Sequence, residues 1–394
     1  MRRLASAGMR LSVAVSDGNE RMKSEAQRHS LRESEPTVAE KVAFLRRPDS
    51  YHLSAGQVSS VETHMSFVFL AGDRAYKLKK PIKLPYLDFS TVKKREAACR
   101  AELALNRRLA PSVYLDVVPL CVARGGLRIG GQEPAIDWLV VMRRLDGRLM
   151  LDAAIERRCL TAERVEALER TLGKFFRHAK PVLSAPGKCL AKWRDQIKAN
   201  RIALLQPQLR MPVALVSELD RVQRRFLDGF ASPLLERVRQ GRVLDGHGDL
   251  RPEHIWLGEP LSVIDCLEFN AGFRAVDPFD ELAYLSIECE RLGDDRIGPR
   301  LTRTLMRMLG DAVPPELLAF YRCYRATLRA NLSAAHLLDP NPRTPKKWRP
   351  LALQYLEIAR REACALDRLL NKPTGRPFAR RNGGAELPAR TNRR

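Results

Sequence analysis

Hydrophobic positions change their spacing once along this chain of 394 residues. In the first part the apolar runs are short or alternate. Phe67-Val68-Phe69-Leu70 reads as a strand, Gly72-Asp73 as a tight turn, and Ala75 to Lys79 alternates, so 61–83 predicts a β-hairpin. Ser90-Thr91 then opens a stretch in which Ala98, Leu105 and Leu109 help form one apolar face. Thr91 is placed to cap a helix ending at Pro111. Strands are expected again over Val117 to Val122 and Asp137 to Met142. After Gly147 the pattern turns helical: 161–179, then segments near 190–240, 278–292, 299–309, 315–337 and 347–370, each with Leu, Ala and Val spaced between Arg and Glu. One hairpin, at 254–266, interrupts them, and no fixed-period repeat is present. The pattern predicts an α+β protein: a β-rich part carrying one helix, then a larger helical part.

Composition changes this picture mainly at the ends and in the partners it suggests. Residues 1–40 hold few large apolar side chains and are expected to be a disordered extension. The 371–394 segment carries seven Lys/Arg, one Glu and several Gly and Pro, and is expected to be a disordered basic tail. The 45% hydrophobic content is ample for a core and excludes a disordered or collagen-like chain. No apolar run reaches 18 residues, so no membrane span is expected. Eight cysteines are scattered without zinc spacing, which speaks against a structural metal site. With no export signal in view, they read as reduced thiols of a cytoplasmic protein. The net charge of +23 points to polyanionic partners.

The chemistry concentrates in Val243 to Leu257. His247, Asp249, Arg251 and His254 crowd a loop between apolar segments, where a core would not place them. Gly258-Glu259-Pro260 turns the chain, and Leu261 to Asp265 returns, bringing Asp265 back beside the loop that holds Asp249. Two carboxylates and an arginine in one loop–hairpin unit suit phosphoryl transfer: one Asp to orient and deprotonate a hydroxyl, another to hold Mg²⁺ against phosphates.

HGDLRPEH resembles the catalytic loop of the aminoglycoside phosphotransferase family, within the protein-kinase-like superfamily, where HGDLHxxN is usual. Val-Ile-Asp265 resembles that family's later metal-binding Asp, which follows an Ile there, and Asp277-Pro-Phe-Asp280-Glu-Leu-Ala its DPxxDLA segment. AYKLKKP resembles the strand of the phosphate lysine, and 91–110 the helix whose Glu pairs with it. The resemblance covers roughly residues 41–340. It is nearest to a bacterial subgroup sometimes fused to a P-loop ATPase domain; the sequence holds no GxxxxGK[ST], so that domain is expected to be absent.

The resemblance implies a protein-kinase-like two-lobe fold, with a small β-rich N-lobe over 41–145 and a large helical C-lobe over 146–370 carrying the catalytic loop. It implies ATP and Mg²⁺ as cofactors and a small-molecule hydroxyl substrate, with no specific nucleic-acid partner and the oligomeric state left open. Asp249 would be the catalytic base, and Arg251 would stand where protein kinases place a phosphate-steadying lysine. Lys77 would contact phosphates and Glu102 would hold it. Lys79 shares the face of Lys77, so alternation does not choose between them. Met142, Arg143, Arg144 and Leu145 would form the hinge against adenine, and Asp265 would bind the metal. His254 replaces the family's Asn as second metal residue, and imidazole suits Mg²⁺ poorly. A hydrogen bond from His254 to Asp249 or to a metal-bound water is the other role, and the one this mismatch favours. Thr63 to Ser66 stands where a Gly-rich loop would cover phosphates.

Three functional classes compete. The leading one is a phosphotransferase acting on an alcohol group. A pseudokinase-type nucleotide-binding module with little transfer is the alternative, motivated by His254. A nucleic-acid-associated protein is motivated by the charge alone, with no recognition signature and only 6% aromatic residues to stack bases. Arg325 and Arg329, at helical spacing, are read as a solvated face, with an anionic-substrate contact as the rarer option.

Overall fold

The computed structural model describes residues 35–51, 56–339 and 344–372. Most of the extension expected over 1–40 and nearly all of the tail expected over 371–394 lie outside those residues. The last part of the extension is described, and there Thr37 and Glu40 form a capping box that starts a helix at Val38–Leu45. The chain divides into two compact units. Of the described residues, one holds those up to Leu149 together with Trp256–Ala271; the other holds Met150–Ile255 and those from Gly272 on.

The first unit is built on a six-stranded antiparallel sheet. Its order is Ser59–Glu62, Ser66–Ala71, Arg74–Lys79, Ala135–Arg143, Tyr114–Ala123 and Gly126–Ile129. The expected hairpin forms with Phe67 opposite Leu78 and Val68 opposite Lys77. Thr63 to Ser66 is a tight turn between strands, in which the Ser66 N–H donates to Thr63 Oγ1 at 2.9 Å.

Alternation sends successive residues to opposite faces. Leu78 joins Val42, Leu45, Phe69 and Leu139 in one apolar cluster. Val140, beside Lys77 in the ladder, packs on the other face with Cys99, Val113, Tyr114 and Val117. The single helix of that face, Val92–Asn106, starts at Thr91, whose hydroxyl accepts from the Lys94 N–H. It stops at Asn106 rather than reaching Pro111, because the chain tightens into a turn there: the Leu109 and Ala110 N–H groups both donate to the Asn106 carbonyl. A buried Asp137 fixes the assembly, taking both Arg95 of the helix, at 2.7 and 3.0 Å, and Lys41, at 2.9 Å.

The second unit is helical. Ala162–His178, Pro186–Leu204, Val213–Gly229, Ser232–Arg239, Pro278–Arg291, Ile297–Leu309, Pro315–Ala335 and Pro345–Leu370 match the segments expected from periodicity. Pro315–Ala335 is central and packs on four of the others. A two-residue ladder of Leu244–Asp245 with Ala275–Val276 frames the loop that follows it. The expected hairpin over 254–266 is Ile255–Trp256 with Ser262–Val263, and the chain passes from the second unit to the first at its start. A β-rich unit with a helix on each face of its sheet and a larger helical unit make up the α+β layout that the sequence implies.

One expectation fails here. Arg325 and Arg329 do not form a solvated face. Arg325 is 7% exposed and grips Asp280 with two bonds of 2.6 Å, and Arg329 bonds Glu288 at 2.5 Å. Helical spacing placed both on one face correctly, but Pro278–Arg291 covers that face with matching acids.

Candidate functional site

In the first unit, Lys77 and Lys79 leave the Arg74–Lys79 strand on the same face, two residues apart. Both reach Glu102 of the helix: Lys77 Nζ donates to Oε1 at 2.8 Å and Lys79 Nζ to Oε2 at 2.5 Å. Lys77 also donates to Asp265 Oδ1 at 2.7 Å, and Lys79 to Glu268 at 2.5 Å. The two lysines therefore separate. Lys77 bridges to Asp265, whose side chain is 46% exposed, whereas Lys79 lies wholly inside, at 2% exposure.

Charge governs protonation here. Burial disfavours the Lys77 ammonium, but Asp265 and Glu102 outweigh it and hold its pKa well above the ordinary range. Burial raises the Glu102 carboxyl, while Lys77 and Lys79 more than reverse that and lower it. Burial chiefly raises Glu268.

Asp265 is held by its backbone. It adopts a left-handed φ of 61°, its N–H donates to Tyr114 Oη at 3.1 Å, and the next N–H, of Cys266, donates to Asn106 Oδ1 at 2.9 Å. Asn106 in turn donates to the Glu102 carbonyl, so one helical turn aligns Glu102 with the Asp265 segment. Of the expected hinge, Met142 and Leu145 pack against the Cys99–Val140 cluster together with Ile264. The Arg143 N–H donates to Val113 O at 2.8 Å and the Arg144 N–H to Asp73 O at 2.7 Å, so both are spent inside the protein. The Arg143 guanidinium lies over the Trp256 ring.

In the second unit the loop is suspended from Glu281. This carboxylate accepts from the His247 N–H at 3.0 Å and from the Gly248 N–H. Gly248 takes φ 87°, and a Cβ on Gly246 would come within 2.7 Å of Glu281 Oε2, so the loop needs both glycines. Burial pushes the Glu281 carboxyl up to about 7.

Asp249 accepts from Tyr284 Oη at 3.1 Å, and Arg251 Nε lies 3.1 Å away as an ion pair without hydrogen-bond alignment. Burial raises the Asp249 carboxyl, but Arg251, His254, Arg329 and His247 outweigh it and keep it below the ordinary carboxylate range. Asp249 is thus an ionised acceptor at neutral pH.

His254 sits 2.9 Å by Nδ1 from the Asp249 carbonyl oxygen, and its Nε2 lies 3.3 Å from Arg251 Nη2. A carbonyl requires a donor, so the proton belongs on Nδ1, and Nε2 then accepts from the guanidinium. Both ring nitrogens are engaged within this unit, which matches the hydrogen-bonding alternative that the sequence offered for His254. Asp265 offers instead the hard oxygen that Mg²⁺ prefers, and one carboxylate with waters and substrate phosphates is a usual way to hold that ion. Among the described residues no group of three or more His, Cys, Asp or Glu is arranged to hold a metal unaided.

Periodicity alone did not single out Glu268, Asn106, Tyr114, Glu281 and Tyr284. Two of them stand at readable offsets: Asn106 four residues after Glu102, and Glu268 three after Asp265.

No family model matches the chain. It is 31% identical over 290 residues to uncharacterised proteins of Mycobacterium tuberculosis and Mycobacterium bovis, a match that takes in 71% of this chain and 55% of each relative. The chain therefore spans about half the length of the curated relatives it matches. Solved structures similar to it are aminoglycoside phosphotransferases and choline or ethanolamine kinases, members of the protein-kinase-like superfamily. A choline/ethanolamine kinase family protein from Mesorhizobium loti is 17% identical, with 85% of this chain and 95% of that one covered and a TM-score of 0.46. A GDP complex of an aminoglycoside 2'-phosphotransferase is 15% identical, with 84% and 99% covered and a TM-score of 0.48. A choline kinase from Streptococcus pneumoniae is 13% identical, with 84% and 100% covered and a TM-score of 0.48.

Proposed function

We propose that this protein is an ATP- and Mg²⁺-dependent phosphotransferase that moves the γ-phosphate to a hydroxyl of a small-molecule acceptor. The observation that carries the reading is Lys77 held between Glu102 and Asp265, at 2.8 and 2.7 Å. That ammonium is charged, fixed in direction and next to a half-exposed carboxylate. It suits a nucleotide phosphate, and Asp265 suits the cation that accompanies it.

Roles follow from chemistry. Lys77 neutralises phosphate oxygens, Glu102 aims it, and Asp265 would hold Mg²⁺, which supplies charge neutralisation at the phosphates. With the Arg143 and Arg144 N–H groups spent internally, base recognition falls to Leu145 and to main-chain carbonyls of the Met142–Leu145 segment. In the second unit, ionised Asp249 accepts the acceptor's hydroxyl proton. Arg251 and Tyr284 hold its carboxylate in place, and His254 braces its main chain. Catalysis of this kind is positioning and charge neutralisation.

A second reading has an observation behind it. Asp249 is already paired with Arg251, and His254 supplies no second metal oxygen, an arrangement that also fits a nucleotide-binding module with little transfer. The test is a screen of sugars, amino alcohols, nucleosides and aminoglycosides for ATP-dependent phosphorylation, with Asp249→Asn as control, beside thermal melting with ATP and Mg²⁺. The transferase reading expects turnover lost in the control. A Mg²⁺–ATP melting shift without turnover on any acceptor favours the module, and no shift at all sinks both.

A further inference from the structure

Five ionisable side chains of the first unit form one chain of contacts: Asp265, Lys77, Glu102, Lys79, Glu268. Side-chain exposure falls along it from 46% at Asp265 to 14% at Lys77 and 0% at Glu102, and stays low at Lys79 (1%) and Glu268 (8%). Aiming Lys77 needs only Glu102. Desolvating a second ammonium and a third carboxylate is expensive unless each is paired, so the inner pair calls for a reason.

Glu102 supplies it. Its two oxygens are divided, Oε1 to Lys77 and Oε2 to Lys79. If Lys77 turned towards an incoming anion, a Glu102 held by Lys77 alone would be left as an uncompensated buried charge. With Lys79 on its other oxygen it stays neutralised and fixed. Glu268 balances Lys79, and as it lies three residues beyond Asp265 it also tethers that segment while the Asp265 carboxylate is released.

We propose that Lys79 and Glu268 are positioning residues that keep Glu102 compensated, so that Lys77 exchanges Asp265 for a nucleotide phosphate. This rests on the nucleotide-binding reading above and adds a second buried ion pair to it. Lys79 touches no phosphate; it acts through Glu102 on Lys77.

The experiment measures the affinity of the full chain for ATP with Mg²⁺ by calorimetry, and folding by circular dichroism. The variants are Lys79→Met, Lys79→Arg, Glu268→Gln, Lys77→Met and the double variant Lys77→Met/Lys79→Met. Lys79→Met is expected to weaken binding at least tenfold and Lys79→Arg to restore most of it. Because Lys79 works only through Lys77, the double variant should bind as weakly as Lys77→Met alone; a merely structural Lys79 would give additive losses. Should Lys79→Met fail to fold, Glu268→Gln carries the test, with a weakening of a few fold that disappears in the Lys77→Met background. Additive losses, or unchanged affinity in folded Lys79→Met and Glu268→Gln, overturn the proposal. Absence of binding in the wild type overturns the nucleotide reading itself, and this proposal with it.

Discussion

His254 shows how a single side chain is decided by its bonds. The resemblance left it two roles, metal residue or hydrogen-bonding support of Asp249, and the Nδ1–H given to the Asp249 carbonyl with the Arg251 contact at Nε2 favours the second. His254→Asn is therefore expected to keep or raise turnover, since the amide can still donate to that carbonyl and adds a neutral oxygen. Turnover compared in Mg²⁺, Mn²⁺ and Co²⁺ checks this. A wild type that prefers Mn²⁺ or Co²⁺, with the preference lost in the variant, would return His254 to the metal. Lys80, next along the strand, pairs with Glu62 near the surface and should tolerate Ala with little change in stability.

At the level of elements, the loop carrying Asp249 depends on the helix Pro278–Arg291 through Glu281. Its folded pKa of about 7 lies above the ordinary value of 4.5. The folded protein therefore keeps a proton that the unfolded chain releases between those values. Stability from this group is greatest below pH 4.5, declines as pH rises towards 7, and is level above. The decline is about 3 kcal/mol. Glu281→Gln removes that dependence, so the melting temperature of the wild type should fall relative to the variant from pH 5 to 7. Parallel curves would show that Glu281 does not titrate there. The helix that aims Glu102 depends in turn on its cap. Thr91→Ala should cost about 1 kcal/mol by urea denaturation, with most of the nucleotide affinity kept.

For the molecule as a whole, the +23 charge is a separate matter from the site. The arginines of the helical unit that meet buried acids, such as Arg237 with Asp277 and Asp311, are consumed in structure. Any polynucleotide binding should be insensitive to base sequence and fall steeply between 50 and 200 mM salt. Retention at high salt, or a preference for one sequence, would mark a specific partner. Among the described residues no helix is long and apolar enough to cross a membrane.

The sequence by itself determined the hairpin around Gly72-Asp73, the Thr91 cap, the order of the helices and the concentration of chemistry between His247 and Asp265. These are local: turn residues, caps and periodicity act within a few positions of chain. It also determined that Lys77 and Lys79 share a face, since that follows from a period of two. Only the tertiary structure decided what each of them meets. Lys77 and Asp265 are 188 positions apart, and no local rule pairs them. The same holds for Arg325 and Arg329, whose helical spacing gave their common face but not the acids of another helix laid across it. Periodicity fixes which way a side chain points; whether that direction ends in water or in a buried partner of opposite charge depends on which distant segment packs there.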